Sequence, residues 1–217
     1  MKRMSRPIHA INGLYAITPD CASTPDLVAR ARAALAGGAS VLQYRNKAAS
    51  PALRLEQAQA LRALTRDFSV PLIVNDDVLL AAQVDADGVH LGTTDAALGH
   101  ARGVLGTRKI IGVSCYNLPP RAKAAIGDGA DYVAFGAFFA SGVKPHAATA
   151  DVAMLRQMRG ELRLPLVAIG GITAQNGGEL IEAGADALAV ISALFGADDI
   201  KAAALGFSKL FNRNAAT

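Results

Sequence analysis

The sequence predicts a single (β/α)8 barrel, in which eight parallel strands form a closed ring and a helix follows each strand. Eight short apolar segments alternate with segments of helical period, and no break in composition divides the 217 residues. Polar residues gather at one end of the apolar segments. An open doubly wound sheet is the alternative, but it does not readily use eight evenly spaced strands.

The predicted strands are runs of about four to seven apolar or β-branched residues, as expected for strands buried on both faces. They cover residues 13–18, 40–45, 71–75, 88–91, 109–114, 131–136, 165–170 and 187–192. Segments of helical period between them include residues 51–67, 77–84, 119–128, 151–159 and 173–183. Helix starts are marked by Thr24-Pro25 and Ser50-Pro51, a capping hydroxyl before a proline. A recurring Gly-Ala-Asp phrase, as at 129–131 and 184–186, ends a helix in a left-handed residue and begins the next strand.

The predicted domain spans residues 1–217, with an amino-terminal extension at 1–12. The chain is short for a barrel, so most loops must be tight. The exception is residues 136–150, which we predict to form a mobile loop at the active site.

Composition excludes several classes of protein. Hydrophobic residues make up 52% and charged residues 18%, which disfavours disorder and coiled coils. The longest apolar stretch, 187–195, is about half of a membrane span, and the first seven residues lack the apolar run of a signal peptide. Two distant cysteines favour a reducing compartment. A net charge of +4 without a basic stripe disfavours nucleic acid as a partner. We expect a cytoplasmic protein with neither membrane nor nucleic-acid partners, and a homo-oligomer is left open.

The second predicted strand carries the first candidate site residues. Side chains alternate along a strand, so if Leu42 packs on the helices, Gln43 and Arg45 point into the barrel mouth. Burying them is costly unless they meet an anion or a polar ligand. Lys47 follows just past the strand end. The simpler interpretation is that Arg45 and Lys47 are exposed loop charges.

Two carboxylates follow the third and fourth strands. Asp76 and Asp95 can approach one point because neighbouring strands are about 4.8 Å apart, and such a pair suits Mg²⁺ beside substrate phosphate. The alternative is that Asp95, and Asp76 or Asp77, simply cap helices. Basic residues in the same mouth, including Lys144, favour the metal.

The ends of the last two strands suggest a phosphate site. Gly170-Gly171 and Ile191-Ser192 allow backbone N–H groups to approach an anion, and barrels often bind phosphate here. Glycine pairs also serve tight turns. With the cationic half of the mouth, this site suggests two phosphorylated ligands, one a diphosphate that needs Mg²⁺.

Several motifs, in order, make the chain resemble the thiamine phosphate synthase family over residues 13–211. These are GLYAIT (13–18), QYRNK (43–47), ND (75–76), DGVHLGTTD (87–95), IGVS (111–114), AIGGI (168–172) and AVIS (189–192). Each motif alone is only moderately specific for the family. Their order and spacing together are strongly specific. The resemblance implies a (β/α)8 barrel that joins a hydroxymethylpyrimidine diphosphate to a thiazole phosphate and releases diphosphate.

The resemblance also implies roles for individual residues. Arg45, Lys47, Ser114 and Lys144 would be catalytic, and Asp76 and Asp95 would bind Mg²⁺. The pyrimidine diphosphate would meet Gln43, Tyr44, Arg45, Asn46, Lys47, Asn75, Ser114 and Lys144. The thiazole phosphate would meet Ser141, Gly142, Val143, Gly171, Ile191 and Ser192. His90 is interpreted as a hydrogen-bonded strand-end residue, and His146 has no assigned role.

The chain departs from the family pattern at two places. The family loop Gly-Pro-Ile-Phe-Pro-Thr-x-Thr-Lys reads GAFFASGVK at 136–144, so Val143 replaces a hydroxyl and offers only its backbone N–H. The acidic residue of the second-strand motif is Asn46 here. Two alternative functions stay open: a relative resembling a thiazole tautomerase, and a phosphate-ligand sensor that lost turnover.

Overall fold

The computed structural model describes residues 11–92, 98–140 and 150–214, with side chains to residue 212. Eight strands close into a barrel in which each strand pairs in parallel with the next, and β8 pairs with β1. The strands are β1 (Gly13–Ile17), β2 (Ala39–Tyr44), β3 (Leu72–Asn75), β4 (Gly88–Leu91), β5 (Ile110–Tyr116), β6 (Tyr132–Phe135), β7 (Leu166–Ile169) and β8 (Ala187–Val190). The predicted fold class is confirmed.

Helices cover the outside of the barrel in the described ranges. They are α1 (Thr24–Ala36), α2 (Pro51–Asp67), α3 (Val78–Gln83), α4 (Leu98–Leu105), α5 (Pro119–Gly127), α6 (Val152–Glu161), α7 (Gly177–Glu182), α8 (Ser192–Phe195) and α9 (Ile200–Asn214). Ser50 accepts a hydrogen bond from Leu53 N at the start of α2, which confirms the Ser50-Pro51 signal. At α1 the predicted cap was wrong by one residue: Ser23 accepts from Asp26 N, and Thr24 is the first helical residue. None of the described helices is long and apolar enough to span a membrane.

Two apolar clusters follow from strand alternation. Residues such as Tyr15, Val41 and Ile73 point into the barrel, where they form the smaller cluster. Their neighbours, such as Leu14 and Leu42, pack against the helices in the larger cluster. The barrel is therefore filled, and ligands have access only at its ends.

Most predicted boundaries differ from the structure by one or two residues, and the start of α7 differs by four. The differences at β5 and α7 have local reasons. Strand β5 extends beyond residue 114 to Tyr116, through an irregularity in its pairing with β6 and a residue with φ of 54°. Helix α7 begins four residues later than predicted, at Gly177. Asn176 Oδ1 accepts from Thr173 N, and Thr173 Oγ1 accepts from Asn176 N. Those side chains offer the backbone an alternative to the helix.

An Arg–Asp clamp recurs at the starts of β3, β5 and β7. One carboxylate oxygen accepts both a strand N–H and an arginine N–H in each case. The three pairs are Arg62–Asp87, Arg102–Asp131 and Arg159–Asp186, with N–O distances of 2.7, 2.6 and 2.7 Å. Left-handed residues precede β6 and β8 as predicted, namely Gly129 (φ 93°) and Gly184 (φ 104°). The aspartates thus fix strand register at the amino-terminal end of the barrel.

Candidate active site

The carboxyl ends of β1 and β2 are tied together by Thr18 and Asp20. Thr18 Oγ1 donates to Arg45 O at 2.9 Å and accepts from Arg45 N at 2.8 Å. Asp20 Oδ1 accepts from Lys47 N at 2.9 Å and lies 3.4 Å from Arg45 Nη1. Arg45 is thus partly buried beside Asp20, which argues against an exposed charge there. The Lys47 side chain is 59% exposed, so the simpler interpretation describes Lys47 better.

Strand β2 sends alternate side chains to opposite sides, as predicted. Gln43 points inward, is 3% exposed, and donates from Nε2 to Tyr15 Oη at 2.8 Å. Tyr44 points outward, and its hydroxyl donates to Gln57 Oε1 on α2 at 2.9 Å. The Tyr44 side chain therefore does not reach the mouth, and the predicted substrate contact of Tyr44 stays a prediction that only its backbone could meet. Leu42 packs on the helices beside it.

Asn46 is also turned away from the mouth. Its Nδ2 donates to Cys21 O at 2.7 Å and to Gln57 Oε1 at 3.0 Å, and only 6% of the residue is exposed. The side chain fastens the β2–α2 connection to the loop before α1. The predicted substrate contact of Asn46 stays a prediction, and these side-chain bonds limit it to backbone atoms.

Asp76 and Asp77, which follow β3, have different roles. Asp77 Oδ1 accepts from Leu80 N at 2.9 Å and caps α3, as the alternative interpretation expected for one of the two. Asp76 adopts a φ of 63°, and its Oδ2 lies 3.5 Å from Lys47 Nζ. Asn75 precedes them at the end of β3, in register with His90 of β4. The Asp76 carboxylate is therefore at the mouth beside a cation.

Ser114 on β5 is held from two sides. Its Oγ lies 2.8 Å from His90 Nε2, and its carbonyl oxygen accepts from Arg121 Nε at 2.7 Å. Arg121 also donates to Gly92 O at 2.8 Å, so one guanidinium joins the ends of β4 and β5. The interpretation of His90 as a hydrogen-bonded strand-end residue is confirmed.

The glycine pair after β7 has a packing reason. Gly171 has a φ of 64°, and a Cβ there would lie 2.6 Å from the carbonyl oxygens of Phe139 and Ala140. Phe139 N donates to Gly170 O at 3.0 Å, so the chain after β6 lies directly on this turn. Ile191 and Ser192 follow β8 at the same end, where α8 begins. The glycine pair after β7 is thus a neighbour of residues 139 and 140, which belong to the described start of the predicted loop.

Several predicted site residues lie outside the described residues. They are Asp95, Ser141, Gly142, Val143 and Lys144, and most of the predicted extension (1–12) and loop (136–150) falls there as well, with His146.

The structure also identifies polar residues at the site that sequence reasoning missed. Tyr15 and Tyr132 lie inside the barrel, and their hydroxyl oxygens are 2.8 Å apart. Burial raises the pKa of both hydroxyls above the ordinary range, so both stay protonated. Asp20 and Arg121 were also missed. A tyrosine within an apolar strand is usually a core residue. Only the position of Tyr15 and Tyr132 on the inward face of their strands could have indicated that their hydroxyls belong to the site.

These residues lie at the carboxyl ends of the strands, where barrel enzymes carry their chemistry, so the protein is of the (β/α)8-barrel enzyme class acting on small molecules. It belongs to the thiamine monophosphate synthase family, whose model matches residues 14–194.

Relatives within the family are close. The chain is 54% identical over 214 residues to the thiamine-phosphate synthase of Nitrosospira multiformis, covering 98% of this chain and 92% of the relative. It is 56% identical to that of Methylobacillus flagellatus, covering 98% of this chain and all of the relative. The solved thiamine phosphate pyrophosphorylase from Pyrococcus furiosus superposes with a TM-score of 0.85 at 35% identity, over 95% of this chain and 98% of that one. The resemblance read from the motifs is confirmed, and the relatives are transferases.

Proposed function

We propose that this protein condenses a hydroxymethylpyrimidine diphosphate with a thiazole phosphate, giving thiamine phosphate and diphosphate. The observation that carries the proposal is the meeting of Lys47 with Asp76, at an Nζ–Oδ2 distance of 3.5 Å, beside Arg45 at the mouth of the barrel. A cation and a carboxylate on adjacent strand ends suit a diphosphate that binds together with a divalent ion. Close relatives that carry the synthase name support it.

The pyrimidine diphosphate would lie over β2 to β5. Gln43, Asn75 and Ser114 provide neutral polar groups, and Arg45, Lys47 and Lys144 provide positive charge. Tyr44 and Asn46 would contribute only backbone atoms, because their side chains bond to Gln57.

Asp76 fits a magnesium site, because a carboxylate oxygen at the mouth is the hard donor that this ion prefers. Asp76 and Asp95 would hold the ion, which when bound neutralises charge on the diphosphate oxygens. The thiazole phosphate would lie opposite, against Ser141, Gly142, Val143, Gly171, Ile191 and Ser192, in the region where barrels commonly bind phosphate.

The reaction breaks the bond between the pyrimidine methylene carbon and the diphosphate oxygen, which leaves with the electron pair. The electron-rich aminopyrimidine supports the resulting cation, and the lone pair of the thiazole nitrogen forms the new C–N bond. No side-chain base is required. Arg45, Lys47 and Lys144 stabilise the negative charge that develops on the leaving group, and losing one such donor typically costs about 10²–10³ in rate.

The direct test is diphosphate release from the two purified substrates, with and without Mg²⁺. A synthase releases diphosphate only when both substrates and the ion are present. A phosphate-ligand sensor binds without release, and a tautomerase isomerises the thiazole phosphate alone. Either of those two results contradicts the proposal.

A matched pair of variants sharpens this test. Lys47→Gln removes the charge beside Asp76, whereas Lys123→Gln removes the charge of an exposed pair with Glu161. We expect only Lys47→Gln to slow diphosphate release. Equal rates in the two variants would exclude Lys47 from leaving-group stabilisation.

A further inference from the structure

Five side chains form one hydrogen-bonded chain inside the barrel. It runs from Gln43 to Tyr15, Tyr132, His90 and Ser114, with successive donor–acceptor distances of 2.8, 2.8, 2.9 and 2.8 Å. All but Ser114 are buried. The chain therefore links β2 to β5 through the interior, and both of its ends are residues proposed to touch the pyrimidine diphosphate.

The direction of this chain follows from counting protons. Gln43 presents its amide N–H to Tyr15, so the Tyr15 oxygen accepts and its own proton must go to Tyr132. The proton of Tyr132 then goes to His90 Nδ1, which is left as an acceptor. A neutral imidazole with Nδ1 accepting carries its proton on Nε2, and that proton points at Ser114 Oγ.

We propose that His90 is a positioning residue, held by Tyr132 as the Nε2–H tautomer so that the Ser114 hydroxyl keeps its own proton for the substrate. Ser114 then acts as a donor to an acceptor atom of the pyrimidine diphosphate, a ring nitrogen or a phosphate oxygen. The substrate in this statement rests on the proposed function. The reverse chain would need the amide oxygen of Gln43 toward Tyr15, and it would turn Ser114 into an acceptor.

The strand register shows that the interior is built around this contact. Gly112 of β5 pairs with His90 on one side and with Tyr132 on the other. A Cβ on Gly112 would lie 1.9 Å from Tyr132 Cζ. The missing side chain lets the two rings stack across β5, with centroids 5.5 Å apart and planes 23° apart.

The other end of the chain is equally constrained. Arg121 donates a hydrogen bond to the Ser114 carbonyl oxygen, so the backbone that carries the Ser114 hydroxyl is fixed. Because burial raises the pKa of Tyr15 and Tyr132 above the ordinary tyrosine range, both phenols keep the protons that the directional chain requires.

The tautomer is measured directly by ¹⁵N NMR of the imidazole in the substrate-free protein at neutral pH. We expect the Nδ1 of His90 to give the shift of an unprotonated ring nitrogen and Nε2 that of an N–H. Tyr132→Phe removes the hydroxyl that donates to Nδ1. The ¹⁵N shifts of the His90 ring should then move toward those of an exposed histidine, in which both tautomers are present. A wild-type Nδ1–H tautomer would overturn the proposal without any variant.

Kinetics separate positioning from general stability. Tyr132→Phe removes a buried hydrogen bond from the chain of five side chains. It should raise the KM for the pyrimidine diphosphate about tenfold or more and change the KM for the thiazole phosphate by less than about twofold. Thr65→Val is the matched control, because it also removes a fully buried hydroxyl, but one that bonds to Arg62 O on α2. Equal rises in both KM values would overturn the proposal.

A rescue series completes the test. His90→Gln offers an amide N–H near Ser114, and His90→Leu offers none, so the Gln variant should retain more kcat/KM for the pyrimidine diphosphate. Equal activity of the two would contradict a donor role. If the wild type releases no diphosphate, the proposed function fails, whereas the NMR result still decides the tautomer.

Discussion

Lys47 and Asp76 face each other from the ends of adjacent strands, with Nζ and Oδ2 3.5 Å apart. Lys47 is fixed by its backbone N–H on Asp20, and Asp76 by a left-handed backbone whose N–H donates to His90 O at 2.8 Å. The backbones that carry both side chains are therefore fixed before any ligand binds, while the Lys47 side chain itself is 59% exposed.

Asp76→Asn should reduce turnover by about 10²–10³ because it removes the charge of a proposed metal ligand. Asparagine tolerates a φ of 63°, so the free energy of unfolding should be unchanged. Asp76→Ala should lose the same activity and also about 1 kcal/mol of stability, from the strained backbone. Diphosphate release and urea unfolding measure the two effects. Full activity in the Asn variant would remove Asp76 from the site.

Tyr44→Phe should reduce stability without changing either KM. The hydroxyl is buried and donates to Gln57 on the helix side, and a lost hydrogen bond of this kind costs about 1 kcal/mol. Urea unfolding and steady-state kinetics on both substrates check this. A changed KM for the pyrimidine diphosphate would show that the Tyr44 hydroxyl affects substrate binding.

Asp131→Ala should destabilise the barrel by about 1–3 kcal/mol, because it leaves Arg102 and the N–H of Ile111 without their shared acceptor. Activity per folded molecule should stay the same. Glu161→Ala serves as the comparison, since its ion pair with Lys123 is at the surface and should contribute little. Similar losses of unfolding free energy in the two variants would mean that the clamp contributes no more to stability than an exposed ion pair.

The two cysteines should differ in reactivity toward iodoacetamide. Both are free thiols, but Cys115 is buried, and burial raises its pKa to about 12. Cys21 is partly exposed. At pH 8 the native protein should therefore take up one label, on Cys21, and the unfolded protein two, as counted by mass spectrometry. Rapid native labelling of Cys115 would contradict its placement in the core.

Periodicity and turn chemistry were enough to predict the barrel. The limits of α2 and β4 match the predictions to the residue, because Ser50-Pro51 and the glycine at 88 mark them clearly. Alternation along β2 also placed Gln43 inside the barrel correctly.

The parts that sequence could not supply depend on partners distant in the chain. Tyr15 and Tyr132 are 117 residues apart, and nothing local distinguishes their hydroxyls from ordinary core tyrosines. The motif named Tyr44 and Asn46 as substrate contacts without indicating where their side chains point. The helix contacts made by Gln57 decide where those two side chains point.

The three Arg–Asp clamps lie at the amino-terminal end of the barrel, opposite the candidate active site. They join β3 to β4, β5 to β6 and β7 to β8, so the register of these three strand pairs is fixed at the amino-terminal end. None of the six clamp residues lies in a loop at the carboxyl ends of the strands. We therefore expect substitutions in the predicted loop, such as the valine at 143, to change ligand binding without disturbing the register of these strands.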